Sequence, residues 1–298
     1  MRQPSARSPV PAPFWDGSVV ENRIAGLPSA DAEDLEARAQ SLTRSPPAPT
    51  TDVLRSVIRC LDLTSLEGRE TAEDVAALCD RAADPGPGAE PVAAVVIDHT
   101  LVAEAVRRLA DTPVRAAAVA GGFPTADGSP EERLAEVRRA LAEGAEEIDV
   151  PLPRVPLMEG GYRPLYDELV NIRVAAGDAT LKVILETGRL GFDEIRRASW
   201  LAAAAGADFL KTSSGKMQAG ATPSAALCMA EAARDFHAES GRPVGVKVSG
   251  GVRTWDVAGP YVSIVEAILG AGTVTPERFR IGASRLLDDL VDRLSRTT

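Results

Sequence analysis

The chain has 298 residues, 45% of them hydrophobic, which is enough to bury one large core. With 33 basic against 43 acidic residues the net charge is −10, and such a surface repels nucleic-acid phosphates. No apolar run approaches the roughly 20 residues of a membrane span, and the opening MRQPSARSPVPAPFW lacks the apolar core of a signal peptide.

Three scattered cysteines (Cys60, Cys79, Cys228) and two histidines (His99, His237) make neither a disulfide framework nor a histidine-rich metal centre. The expectation is a cytoplasmic protein with no metal, no cofactor, and no nucleic-acid or membrane partner. Its chemistry then rests on Lys, Asp, Glu, Ser and backbone groups.

Residues 1–50 stand apart, with prolines at positions 4, 9, 11, 13, 28, 46, 47 and 49. Between them DAEDLEARAQSLTR reads as one helix capped by Asp31. This predicts a partly disordered N-terminal extension carrying one helix; a contact in a homo-oligomer is the alternative reading. Residues 51–298 are regular. Strands are expected at 58–64, 92–97, 114–120, 146–150, 181–186, 207–212, 244–251 and 279–284, with helical-period segments such as PEERLAEVRRALAEGA and FDEIRRASWLAAAAGA between them. Gly144, Gly206 and Gly241 close helices as left-handed caps. Alternating strand and helix implies a parallel sheet covered by helices, and eight units fit a (β/α)8 barrel, an architecture of about 250 residues. The competitor, a doubly wound open sheet, would carry GxGxxG after the first strand, and none is present.

Alternate residues of a barrel strand face the helices and the interior. In EEIDV, Ile148 and Val150 share the apolar parity and Glu147 and Asp149 the other. Lys182 in LKVILE and Lys247 in VGVKV likewise oppose their aliphatic neighbours, and Asp62 and Lys211 fall near strand C-terminal ends. Any one of these charges alone reads as a structural ion pair. Five strands that place Asp or Lys toward one rim read as an active site at the C-terminal mouth.

Lys211 and Lys247 lie on consecutive strands, hence neighbours about 4.8 Å apart. An ordinary lysine, with pKa near 10.4, is neutral only about once in a few thousand molecules at pH 7. A second ammonium and desolvation lower that pKa, which is how a Schiff-base lysine is made. Asp149 on the same surface could move protons. Ser249-Gly250-Gly251 and Gly282-Ala283-Ser284 follow the last two strands, where barrels commonly hold phosphate on backbone N–H groups.

The segments CLDLTSL, GAEEIDV, LKVILETG, GADFLKTSSGK, VGVKVSGGVRT and FRIGAS, in order from about Leu54 to Leu290, strongly resemble the class I, metal-independent deoxyribose-phosphate aldolases. The resemblance implies reversible cleavage of 2-deoxy-D-ribose 5-phosphate to acetaldehyde and D-glyceraldehyde 3-phosphate. It implies Lys211 as the Schiff-base lysine, Lys247 as its perturbing neighbour and Asp149 as acid/base. Asp62 and Lys182 become supporting residues, and Lys216, Gly250, Gly251 and Ser284 hold the phosphate. The chain departs from the family at Val96 and Asp98-His99, where Cys and Tyr-Pro are common, and at Pro151 and Arg285. Two other functions stay open: a Schiff-base lyase on another sugar phosphate, and a catalytically silent sugar-phosphate binder. The intact Lys211, Lys247 and Asp149 argue against the binder.

Overall fold

A computed structural model describes residues 15–217 and 220–297. Eight parallel strands close into a barrel in chain order: β1 (Leu61–Thr64), β2 (Ala94–Asp98), β3 (Arg115–Val119), β4 (Glu147–Pro151), β5 (Thr180–Ile184), β6 (Phe209–Lys211), β7 (Gly245–Ser249) and β8 (Phe279–Ala283). The helices among the described residues are α1 (Gly17–Ala25), α2 (Ala32–Thr43), α3 (Thr51–Arg59), α4 (Ala72–Ala83), α5 (Val102–Leu109), α6 (Pro130–Ala142), α7 (Arg154–Met158), α8 (Tyr162–Ala176), α9 (Phe192–Ala204), α10 (Pro223–Ser240), α11 (Trp255–Leu269) and α12 (Leu286–Thr297). This is the expected (β/α)8 barrel. No helix among the described residues is long and apolar enough to cross a membrane.

Local chemistry sets the helix starts. In TAED, Thr71 accepts from the Asp74 amide while Asp74 reaches back to Thr71; Ser129 and Glu132 form the same reciprocal box, with Pro130 in the first turn. The outward strand faces, including Val95, Ile97, Ile148, Val150, Leu181, Val183, Val246, Val248 and Ile281, join the helices in one continuous core. Inside the barrel a separate small apolar cluster is formed by Ala94 and Val96 of β2 and Ala117 and Val119 of β3, with Leu66 and Phe123 packed on it. The other strands bring the buried charges Asp62, Glu147, Asp149, Lys182, Lys211, Lys247 and Arg280 into the interior.

Two expectations about the N-terminal half are corrected. Ile58 and Arg59, expected as strand, end α3, because Leu54, Val57 and Ile58 recur at helical spacing on one buried face and Thr50 caps the Val53 amide. The extension carries a second helix, α1, before the expected one: Asp16 accepts from the Ser18 amide at 2.8 Å, and Val20 and Ile24, four residues apart, are buried. Helix α1 packs on α8 and α9, and α2 packs on α10 and α11. Trp15 stacks on Trp200 at 6.1 Å, and its carbonyl accepts from Tyr166 Oη at 2.8 Å. The described part of the extension therefore buries its apolar face on its own barrel. The disorder expected at the start of the chain falls on residues 1–14, outside the described residues.

Candidate active site

Strand register brings the inward charges together. Asp149 lies beside Lys182 across β4 and β5, and Lys211 beside Lys247 across β6 and β7. Asp62 pairs with Gly282 of β8. A side chain at Gly282 would place its Cβ 3.1 Å from Lys247 Cε, so glycine here leaves room for the lysine.

Asp149 is the hub. Its Oδ1 accepts from Lys182 Nζ at 2.7 Å, and its Oδ2 accepts from both Lys211 Nζ at 2.8 Å and Lys247 Nζ at 2.7 Å. Lys247 also donates to Asp62. Lys182 reaches Glu147 at 2.7 Å and Asp62 at 3.4 Å. All five groups expected near the reaction, Asp62, Asp149, Lys182, Lys211 and Lys247, are buried and in one network.

The three lysines differ in how many carboxylates they meet. Lys182 has three, Lys247 has two, and Lys211 has only one, which it shares. Burial pushes an amine toward its neutral form. At Lys182 that push is outweighed by Asp149, Glu147 and Asp62, which raise its pKa above the ordinary lysine range. At Lys211 burial is opposed by Asp149 alone and reinforced by Lys247 and Lys182, so its pKa is lowered from 10.5 to about 8. Burial also works against the Asp149 carboxylate, but Lys182, Lys211 and Lys247 prevail and hold it well below the usual range. The site thus contains one amine close to neutrality beside a firmly ionised carboxylate.

The phosphate candidates come from the loops after β6, β7 and β8, three neighbouring strands at one rim. Gly250 and Gly251 occupy left-handed conformations, with φ +91° and +86°. A Cβ on Gly250 would stand 2.8 Å from Gly220 Cα, and the Ala221 amide donates to Ser249 O at 3.1 Å, so the two loops meet backbone to backbone. Ser284 is exposed just before α12, and Lys216 is exposed in the β6–α10 loop. Arg285 is exposed and makes no hydrogen bond or ion pair by its side chain among the described residues. Neither Asp288 nor Asp289, in the first turn of α12, pairs with it. Asp288 binds Arg81, and Asp289 accepts from the Trp255 amide and Arg293.

Val96 joins the apolar wall of the interior, while Asp98 caps its own turn by accepting from the Thr100 amide at 3.0 Å. Sequence reasoning missed Arg280 of β8 and gave Glu147 of β4 no role. Arg280 donates to Glu147 Oε1 at 2.9 Å and to Asp62, deep in the barrel. The available signal was an arginine in the middle of FRIGA, on the parity of Gly282.

A profile described as DeoC/LacD family aldolase matches residues 56–273. Deoxyribose-phosphate aldolase of Bos taurus is 40% identical over 253 residues, covering 80% of this chain and 79% of that protein. The Mus musculus protein of the same name is 39% identical over 251 residues, again covering 80% and 79%. A tetrameric deoxyribose phosphate aldolase from Aeropyrum pernix shares the fold, with TM-score 0.65 and 23% identity, over 90% of this chain and all of that one. With nearly three quarters of its length matched, and the buried lysines and aspartate assembled at the barrel interior, the chain belongs to the DeoC/LacD family of aldolases.

Proposed function

We propose that this protein is a class I deoxyribose-phosphate aldolase acting in the cytoplasm. It cleaves 2-deoxy-D-ribose 5-phosphate reversibly to acetaldehyde and D-glyceraldehyde 3-phosphate through a Schiff base on Lys211. The observation that carries this reading is the Lys211 amine, buried, bound by a single shared carboxylate oxygen, and lowered to about 8.

The neutral Lys211 Nζ adds to the C1 aldehyde, and loss of water from the carbinolamine leaves an iminium. Asp149 accepts the proton of the 3-hydroxyl, directly or through water. The C2–C3 bonding pair moves toward the iminium nitrogen, glyceraldehyde 3-phosphate departs, and an enamine remains. Protonation at C2 and hydrolysis return acetaldehyde and free Lys211. Lys247, sharing Oδ2 of Asp149 with Lys211, is placed to pass a proton along that oxygen. The rim glycines, Ser284 and Lys216 take the 5-phosphate. The direct test is cleavage of deoxyribose 5-phosphate, with and without EDTA, together with borohydride trapping of the adduct. Mass spectrometry should find the reduced adduct on the Lys211 peptide, and an adduct on another lysine alone would overturn the assignment.

Replacing Lys247 with Leu removes the neighbouring cation and leaves Asp149 Oδ2 to Lys211 alone. Both changes favour the protonated amine, so the acid limb of kcat/KM moves to higher pH by about one unit. An unmoved profile would mean that the two lysines are not coupled.

Phosphate binding is tested at Lys216 and Arg285. Lys216→Gln is expected to raise KM for deoxyribose 5-phosphate about 10-fold, the loss of one charge-assisted hydrogen bond, with no change for unphosphorylated deoxyribose. The exposed Arg285 serves as the comparison, and Arg285→Ser leaves both sugars unchanged. A selective rise at Arg285 and none at Lys216 would reverse the two roles.

A further inference from the structure

The buried charges do not form a loose cluster; they close on themselves. Starting from β8, Arg280 meets Glu147 at 2.9 Å, Glu147 meets Lys182 at 2.7 Å, and Lys182 meets Asp149 at 2.7 Å. Asp149 then meets Lys247 at 2.7 Å, Lys247 meets Asp62, and Asp62 returns to Arg280. Signs alternate around this ring: Arg280, Lys182 and Lys247 against Glu147, Asp149 and Asp62. The ring is neutral by itself. Lys211 hangs from Asp149 as a seventh group, and its protonation would leave the buried assembly with one uncompensated positive charge.

We propose that Glu147 and Arg280, which lie on the ring away from Lys211, are positioning residues that set the protonation of Lys211 through the net charge of the ring. This rests on the Schiff-base reading of Lys211 given above. Two observations support it. Buried ion pairs are expensive relative to well-packed apolar residues, and the same barrel fills its β2 and β3 interior with Ala94, Val96, Ala117 and Val119. The six charges on the other strands are therefore not required to close such a barrel. In addition, the Arg280 guanidinium is fixed through all three nitrogens: it lies 5.4 Å from the Phe209 ring, its Nε donates to Pro276 O, and its other nitrogens serve Asp62 and Glu147. In a desolvated interior, a unit change in charge at these positions is felt at Lys211 through Lys182, Lys247 and Asp149.

The groups around Lys211 are few. Neighbouring strands offer Lys182 from β5 and Lys247 from β7, and across the barrel Asp149 comes from β4 and Asp62 from β1. The rim adds Glu186, whose carboxylate accepts from the Ser214 amide at 3.1 Å, and the exposed Lys216. Helix α9, packed outside β6, keeps Asp193, Glu194, Arg196 and Arg197 partly exposed. None of these groups is altered by the test.

The experiment measures the pH dependence of kcat/KM and of borohydride trapping at Lys211 in the full-length chain. Arg280→Gln makes the ring negative, so the acid limb moves up by about one unit; Glu147→Gln makes it positive, so the limb moves down by a similar amount. The double variant restores neutrality and returns the limb near its parent position. Arg115, a half-buried cation whose Nε lies 3.8 Å from Glu147 Oε1, provides a milder change. Arg115→Gln should move the limb upward by a few tenths of a unit. Opposite shifts that cancel in the double variant are what the proposal requires. Shifts of one sign in both single variants, or a double variant that keeps either shift, would overturn it. Should neither single variant fold, Arg115→Gln decides, and an unmoved limb there overturns the proposal. If Lys211 is not trapped in the parent, the Schiff-base reading has failed; if it is trapped while the limbs stay in place, only the ring has failed.

Discussion

Lys211→Met is expected to lower turnover by on the order of 10^5-fold or more, because both the nucleophile and its oriented attack are lost. Borohydride should then trap nothing at position 211. The same substitution should not harm the fold. The Lys211 amine titrates near 8 in the folded chain against 10.5 when unperturbed, so the unfolded chain binds the extra proton between those values. Folding is therefore disfavoured by this residue below pH 8, and the penalty fades as pH rises through 8 toward 10.5. Methionine removes the odd cation from beside a neutral ring. At pH 7 the variant's Tm should equal or exceed the parent's, and the gap should narrow above pH 10. Residual activity within about 100-fold of the parent, or a marked fall in Tm at pH 7, would show that Lys211 is held for structure rather than for chemistry.

Much of this arrangement is legible in the chain itself. The strands announce themselves by β-branched alternation; parity places Asp149, Lys182 and Lys247 inside, and position near strand C-terminal ends brings Asp62 and Lys211 to the same rim. Parity works because a residue in a closed barrel has only two directions to point. It could not say which lysine reacts. That depends on how many carboxylates each one meets, and the partners lie far apart in sequence: 33 residues between Asp149 and Lys182, 98 between Asp149 and Lys247, 218 between Asp62 and Arg280. Arg280 escaped notice because FRIGAS reads as an ordinary strand, and one arginine in a strand usually faces solvent. The strand beginning at Ile58 failed for a related reason. IRCLDLT is apolar enough for a strand, but Ile58 completes the buried stripe of Leu54 and Val57 on a helix that ends at the exposed Arg59.

Asp149→Asn separates proton transfer from nucleophilic attack, because the two should move in opposite directions. Asparagine preserves shape and can still accept a hydrogen bond, but it carries no charge. Lys182 keeps Glu147 and Asp62, and Lys247 keeps Asp62; Lys211 loses its only carboxylate. The Lys211 pKa should therefore fall below 8, and its amine should be neutral over a wider pH range than in the parent. Addition to the aldehyde then continues, and trapping at Lys211 extends to lower pH. Cleavage of C2–C3 still needs the 3-hydroxyl proton removed, and without the carboxylate kcat should fall by roughly 10^2 to 10^4-fold with a much smaller change in KM. Stability suffers as well. Taking the anion from a buried pair leaves its cations uncompensated, at a cost of about 3–5 kcal/mol, so Tm drops where Lys211→Met holds it. A kcat within a few-fold of the parent would remove Asp149 from proton transfer. Loss of trapping together with turnover would assign it a different part: a carboxylate that only holds Lys211 in place, with the proton of the 3-hydroxyl taken by another group.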